Sequence, residues 1–276
     1  MRFGLLGSNI NYTISPFIHK ELFKIRGEEH AYDVYDISED KFQDKINSLL
    51  ELNGFNITIP YKRKIIEYID ETSDFAKMLK SVNTVKNVNG KHIGYNTDAY
   101  GIEKTLDKII DKDTEKVLIL GCGNVAETAA SVLAERGFET GIAAREKSEH
   151  KALAISEKVK SLYKVNCKYE NFYNINGKYD IIVNCTPIGT FPNVSAVPVD
   201  DEVISGCKGV FDMVYNPIES EFIKRADAMG KKTISGLTML VYQAVRAQEI
   251  WFEISINESR ISKIISDSKE YIKENF

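Results

Sequence analysis

Val117-Leu118-Ile119-Leu120-Gly121-Cys122-Gly123-Asn124-Val125-Ala126 is the stretch that decides the fold. Four successive large apolar residues, stopped at once by Gly, read as a strand covered on both faces, as in a parallel sheet. The run ends in Gly-x-Gly-x-x-Ala. The first Gly permits a tight turn, the second lets the backbone approach a pyrophosphate, and Ala126 lets the next helix lie close. The N-terminus of that helix offers free N–H groups to phosphates. A plain tight strand-to-helix turn is the other reading of this hexapeptide, and the strand–helix context favours nucleotide binding. The helix runs from about Asn124 to Arg136 and stops at Gly137, the expected C-terminal glycine. The next strand, Thr140 to Ala144, ends at Arg145, 24 residues after Gly121. An acidic residue near this place would hold the adenine-ribose 2′-hydroxyl of NAD. Arg145 instead suits a 2′-phosphate, hence NADP, with a solvated surface Arg as the bland alternative. The neighbouring Glu146 opposes a phosphate and keeps NAD as the weaker alternative.

Outward from this stretch the alternation continues. Ile181-Ile182-Val183 and Val210-Phe211 are further short apolar strands. A helix spans about Thr238 to Trp251, and the chain from Asn257 reads as one amphipathic helix with Ile261, Ile264, Ile265 and Ile272 on its apolar face. This tail packs on its own domain or on a partner. Toward the N-terminus, Phe3 to Gly7 is a strand, and Ser15-Pro16 starts a helix with Ser as N-cap and Pro at the first position. Tyr32 to Tyr35 alternates as a strand, Lys41 to Leu52 is helical, and Phe55 to Ile59 is a strand stopped by Pro60. The pair Asn89-Gly90 marks a hairpin between Val85 and Ile93. The charged stretch Asp107 to Lys116 reads as the boundary. The fold class is therefore α/β: an N-terminal α/β domain over 1–106, a doubly wound dinucleotide-binding domain over 107–236, and C-terminal helices over 237–276.

Composition excludes other classes. Of 276 residues, 43% are hydrophobic and 28% charged, which suits a globular chain rather than a disordered one. Lys and Arg total 36 against 40 Asp and Glu, a net charge of −4 without a basic block, so no nucleic acid partner is expected. The four Cys form no Cys-x-x-Cys pair and the four His are scattered, so no metal site is expected. Few Cys suit a reducing cytoplasm. The N-terminus is too quickly polar for a signal peptide, and no apolar run reaches the roughly 18 residues of a membrane span.

Polar residues gather at strand ends of the first domain: Thr13 and Ser15; Asn56, Thr58 and Lys62; Asn83 and Thr84; Asn96, Thr97 and Asp98. In an open α/β sheet such ends face the ligand crevice. Taken singly, Thr and Asn are turn formers and Lys62 is solvated. Taken together, hydroxyls, amides, one Lys and one Asp suit a small polyhydroxylated acid.

These motifs, with Asn184-Cys185-Thr186-Pro187-Ile188-Gly189, Asp212-Met213-Val214-Tyr215-Asn216-Pro217 and Gly236-Leu237-Thr238-Met239-Leu240-Val241-Tyr242-Gln243, run in the order and spelling of one family. The chain resembles shikimate dehydrogenase. Thr13-Ile14-Ser15-Pro16 stands for the family's Ser-x-Ser-Pro, Asn56 to Lys62 for Asn-Val-Thr-Ile-Pro-His-Lys, Val82-Asn83-Thr84 for Val-Asn-Thr, and Gly94 to Asp98 for Gly-Tyr-Asn-Thr-Asp unchanged. The resemblance implies Lys62 and Asp98 as the catalytic acid–base pair. It implies Thr13, Ser15, Thr58, Lys62, Asn83, Asp98, Tyr215 and Gln243 as substrate contacts. Gly121, Cys122, Gly123, Asn124, Val125, Ala126, Ala144 and Arg145 would hold NADP, with Thr186, Met213 and Gly236 near the nicotinamide. The last core helix would return to the N-terminal domain.

The implied reaction is reversible, NADP-dependent reduction of 3-dehydroshikimate to shikimate in the cytoplasm, by a monomer or homodimer. A Lys beside an Asp can give a proton to the nascent alkoxide and take it back in reverse. The family's Asn-Arg-Thr reads Ala144-Arg145-Glu146 here, and Tyr61 replaces the His before Lys62. An NAD-dependent quinate/shikimate dehydrogenase is the rival within the family. A non-catalytic shikimate-binding regulator would need a broken Lys-Asp pair, and both residues are present.

Overall fold

The computed structural model describes residues 1–10 and 13–275. The chain divides into two units: Met1–Tyr100 with Leu240–Tyr271, and Gly101–Met239 with the residues from Ile272 on.

In the first unit the elements are β1 (Arg2–Gly7), α1 (Ser15–Ile25), β2 (Ala31–Asp36), α2 (Phe42–Leu50), β3 (Gly54–Ile57), a 3-10 turn (Lys64–Tyr68), β4 (Glu71–Thr72), α3 (Asp74–Leu79), β5 (Thr84–Val88) and β6 (Lys91–Tyr95), with α4 (Asp98–Leu106) beginning at its edge. The sheet order is β2-β1-β3-β5-β6-β4. β1 runs parallel to β2 and β3, and the β3-β5-β6 part is antiparallel. Asn89 and Gly90 both have positive φ, 53° and 88°, as the two-residue hairpin turn requires.

Period-two alternation divides each strand between two cores. Leu6, Phe55, Ile57 and Val85 face Phe42, Ile46, Leu49 and Tyr61 on one side. On the other, Phe3 and Phe23 pack with Ala247 and Trp251. Trp251 stacks on Phe3 at 4.7 Å and its indole N–H donates to Val85 O at 2.9 Å. That contact needs Gly54, where a Cβ would lie 2.4 Å from the indole nitrogen.

The second unit contains β7 (Lys116–Leu120), α5 (Asn124–Glu135), β8 (Glu139–Ala144), α6 (Glu149–Tyr163), β9 (Cys167–Asn171), β10 (Ile181–Asn184), α7 (Asp201–Ser205), β11 (Gly209–Asp212), α8 (Glu221–Ala228) and β12 (Lys232–Ser235). All six strands are parallel, in the order β12-β11-β10-β7-β8-β9. Val117 to Leu120 are fully buried, as a central parallel strand demands. The winding reverses between β7 and β10, which is the switch point where a doubly wound sheet binds its ligand. α9 (Gly236–Phe252) follows the edge strand β12 and belongs to the first unit from Leu240 on. α10 (Glu258–Asn275) buries Ile261, Ile264 and Ile272, and Tyr271 stacks on Phe17 at 4.1 Å.

Three local readings change. Ser15 is not the N-cap of α1. Ile14 holds that place without a side-chain bond, and the Ser15 N–H is taken up by Thr13 Oγ1 at 3.2 Å. β3 ends at Ile57, because Tyr61 N–H turns back onto Thr58 O and leaves Ile59 72% exposed. α6 and β9, which carry few large apolar residues, add a helix and an edge strand after β8, with β9 paired to β8 alone.

Candidate active site

In the first unit the turn after β3 presents Lys62. Tyr61 anchors that turn: it is fully buried, stacks on Phe42 at 4.6 Å and donates its hydroxyl to Ile37 O at 2.5 Å. Lys62 O accepts from Val82 N–H at 2.8 Å, tying the turn to the approach to β5. Asp98 opens α4, where the N-terminal dipole favours a carboxylate. Lys62 Nζ meets Asp98 Oδ2 at 2.5 Å, and the two side chains are only 14% and 9% exposed.

The other carboxylate oxygen, Oδ1, accepts from Asn83 Nδ2 at 2.8 Å. Asn83 Oδ1 in turn accepts from Thr97 N–H at 2.6 Å and from the Thr97 and Thr84 hydroxyls at 3.2 and 3.3 Å. The Thr97 hydroxyl lies 3.4 Å from Gln243 Oε1 on α9, while Gln243 Nε2 donates to Leu240 O at 3.0 Å. Lys62, Asn83, Asp98 and Gln243 thus share one hydrogen-bonded cluster. Thr13 and Ser15 form a separate pair, with hydroxyls 3.1 Å apart. Thr58, half-buried, packs its methyl over Gly7, where a Cβ would come within 2.5 Å.

In the second unit the strand ends border a cleft of about 1400 Å³. Gly121, Cys122, Gly123, Ala144, Arg145 and Thr186 all line it. The volume exceeds the roughly 300–1,000 Å³ typical of drug-sized ligands, as an extended dinucleotide requires. Gly121 has φ +106°, and a Cβ there would sit 3.1 Å from Thr186 Cγ2. Gly123 has open space where a Cβ would stand and caps α5 without a side chain, leaving the first-turn N–H groups of Asn124, Val125 and Ala126 for an anion. Arg145, Glu146 and Lys147 are exposed, and of these Arg145 lines the cleft. These residues fit a phosphorylated dinucleotide.

Met213, Tyr215 and Gly236 lie outside that lining, and Met213 and Gly236 meet at the ends of β11 and β12. Gly236 N–H donates to Val214 O at 3.1 Å, and a Cβ on Gly236 would meet Met213 O at 2.1 Å. Two fully buried residues, quoted in the motifs without a role, hold this end together. Asn184 Oδ1 accepts from the Thr186 N–H at 3.0 Å and its hydroxyl at 2.6 Å, and Asn184 Nδ2 donates to Asp212 Oδ1 at 2.9 Å. Asp212 also accepts from Val214 N–H and the Ser220 hydroxyl. Burial pushes the Asp212 carboxyl above its usual range despite those donors, and burial likewise raises the Tyr215 hydroxyl and the Cys185 thiol. Among the described residues no group of three or more His, Cys, Asp and Glu could hold a metal ion. No helix among them is long and apolar enough to cross a membrane.

Residues 5–85 match the family model described as the shikimate dehydrogenase substrate binding domain. The shikimate dehydrogenase (NADP(+)) of Clostridium perfringens is 35% identical over 275 residues, covering 97% of this chain and 98% of that protein. The shikimate dehydrogenase (NADP(+)) of Methanococcus maripaludis is 38% identical over 256 residues, 90% of each chain. Among solved structures, the Thermus thermophilus shikimate 5-dehydrogenase in complex with NADP(H) and shikimate superposes with a TM-score of 0.85 at 26% identity, over 97% of this chain and 99% of that one. With a third of its residues shared over almost its whole length, the chain belongs to the shikimate dehydrogenase family.

Proposed function

We propose that this protein catalyses the reversible, NADP-dependent reduction of 3-dehydroshikimate to shikimate, with Lys62 and Asp98 as its acid–base pair. The observation that carries the reading is the desolvated Lys62–Asp98 contact at 2.5 Å, in a chain whose relatives carry the name of that enzyme. The first 106 residues form the substrate domain, residues 107–236 the NADP domain, and 237–276 the returning helices.

The dinucleotide, when bound, supplies or accepts the hydride. The chain's residues manage the proton. As the carbonyl becomes a hydroxyl, its oxygen gains negative charge, and Lys62 Nζ gives it a proton. In the oxidative direction Lys62 takes the proton back. Asp98 Oδ2 fixes the ammonium and, with Asn83, orients a substrate hydroxyl. Thr13, Ser15, Thr58, Tyr215 and Gln243 hold the remaining hydroxyls and the carboxylate. Gly121 to Ala126 and Ala144 receive the pyrophosphate and adenosine, Arg145 the 2′-phosphate, and Thr186, Met213 and Gly236 the nicotinamide half.

A second reading, with NAD as dinucleotide, is favoured by Glu146 next to Arg145. A carboxylate there repels a phosphate and can accept a hydrogen bond from a 2′-hydroxyl. The lining of the cleft by Arg145 and not by Glu146 supports NADP.

The test is Lys62→Ala. Turnover of shikimate with NADP falls by about two to four orders of magnitude, while the dissociation constant for NADP, measured by calorimetry, stays within twofold of wild type. Wild-type turnover in the variant would refute the assignment.

A further inference from the structure

We infer that Tyr32, on the edge strand β2, is a positioning residue for the reaction: its hydroxyl sets the orientation of the Asn56 amide and, through a one-way chain of hydrogen bonds, the donor that Asn83 presents to Asp98. The inference rests on the function proposed above.

Two amide orientations are settled by backbone groups, which cannot exchange donor for acceptor. Asn56 Nδ2 donates to Asn83 O at 3.4 Å and to Thr84 Oγ1 at 3.0 Å. Its oxygen therefore faces away from β5 and meets the Tyr32 hydroxyl at 2.8 Å, which must donate; the buried His19 ring also reaches the Asn56 side chain. Asn83 Oδ1 accepts from Thr97 N–H at 2.6 Å, so Nδ2 is the atom left for Asp98. Thr84 Oγ1 receives from Asn56, so its own proton goes onward, to Asn83 Oδ1 at 3.3 Å or to the Thr97 hydroxyl at 3.1 Å, which itself reaches Asn83 Oδ1 at 3.2 Å. The chain runs one way, Tyr32 to Asn56 to Thr84, then directly or through Thr97 to Asn83 and Asp98, and meets Lys62 from the other side.

Every amide and hydroxyl in it after Tyr32 is buried, with Asn56 4%, Asn83 3% and Thr84 0% exposed. Bonds in such a chain polarise one another, and a lost end member leaves a buried oxygen short of its best donor. Burial pushes Tyr32 ionisation well above its ordinary value, so the hydroxyl stays a donor. Its ring is fixed too: it stacks on His19 at 4.1 Å and 11°, and His19 Nδ1 lies 3.2 Å from Gln248 Nε2 on α9.

The test compares Tyr32→Phe, Asn83→Ala and the double variant, with Trp251→Phe as a control that removes a structural bond in the same core. Tyr32→Phe lowers kcat/KM for shikimate about tenfold, the effect of one buried hydrogen bond, and leaves the KM for NADP unchanged. In the Asn83→Ala background, where the chain is already cut, the same change costs less than twofold. Trp251→Phe lowers the melting temperature without changing kcat/KM. A second tenfold loss in the double variant, or wild-type kcat/KM in Tyr32→Phe, overturns the inference. If Tyr32→Phe does not fold, Thr84→Val breaks the chain one step on and is held to the same tenfold result. A crystal structure of the variant reads the inference without activity: an Asn56 amide turned from Thr84 supports it, and an unchanged chain overturns it. Wild-type protein inactive on shikimate would instead overturn the function and leave the crystallographic arm to decide.

Discussion

Lys62 and Asp98, 36 residues apart in sequence, hold each other at 2.5 Å with little water access. Removing one charge from such a pair leaves the other desolvated and unpaired. Asp98→Asn is therefore expected to lower kcat for shikimate oxidation by about two to four orders of magnitude. Circular dichroism should stay native, since Asn can still accept from Asn83. Binding of NADP, measured by calorimetry, is expected to be unchanged. A variant retaining a tenth of wild-type kcat would show that the carboxylate is dispensable.

The cofactor preference turns on Arg145, exposed beside the cleft. A guanidinium can hold a phosphate through charge-assisted bonds worth about 1.5–3 kcal/mol each. Arg145→Ala is expected to weaken NADP binding by about ten- to a hundredfold and to leave NAD binding within threefold. The ratio of kcat/KM for the two dinucleotides checks this. A ratio unmoved by the substitution means that Arg145 does not read the 2′-phosphate.

Gly121 carries a second constraint. At φ +106° an L side chain is strained, and the added methyl would press on Thr186 Cγ2 at 3.1 Å. Gly121→Ala is expected to cost about 1–2 kcal/mol of stability and to raise the NADP dissociation constant at least tenfold. Thermal melts with and without NADP check both. A wild-type melt with a full NADP-induced shift would rule out the tight turn as the reason for this glycine.

His19 makes a pH prediction. Burial pushes its pKa down from 6.5 to about 3. Between those values the unfolded chain binds a proton that the folded chain refuses. Its contribution is therefore full above pH 6.5 and is lost as pH falls toward 3, at up to about 1.4 kcal/mol per pH unit. His19→Phe keeps a ring against Tyr32 and is expected to lose stability less steeply than wild type between pH 6 and 4. Urea unfolding at several pH values reads the difference. Parallel curves would mean that His19 is protonated in the folded protein.

How much of this was legible in the residues depends on burial. Val117–Leu120 and Ile181–Val183 were readable because strands covered on both faces must be apolar throughout. β9 was not: it is an edge strand, Cys-Lys-Tyr-Glu-Asn, with Lys168 and Asn171 exposed. α6 was missed because it buries only Ala152, Ile155, Ser156 and Val159 over fifteen residues. The motifs that carry Lys62 and Asp98 were legible through family resemblance. The Tyr32–Asn56 and Asn56–Thr84 contacts were not, because they depend on strand order and register. Asn56 stands opposite Thr84 only once β3 and β5 pair, and Tyr32 reaches Asn56 across β1, which lies between β2 and β3.

Shikimate dehydrogenation is tested most directly by mixing the purified chain with shikimate and NADP and following the absorbance of reduced nicotinamide. Steady NADPH formation is expected, requiring shikimate and reversing with 3-dehydroshikimate. A flat trace with NADP and with NAD, from protein shown to be folded, would contradict it.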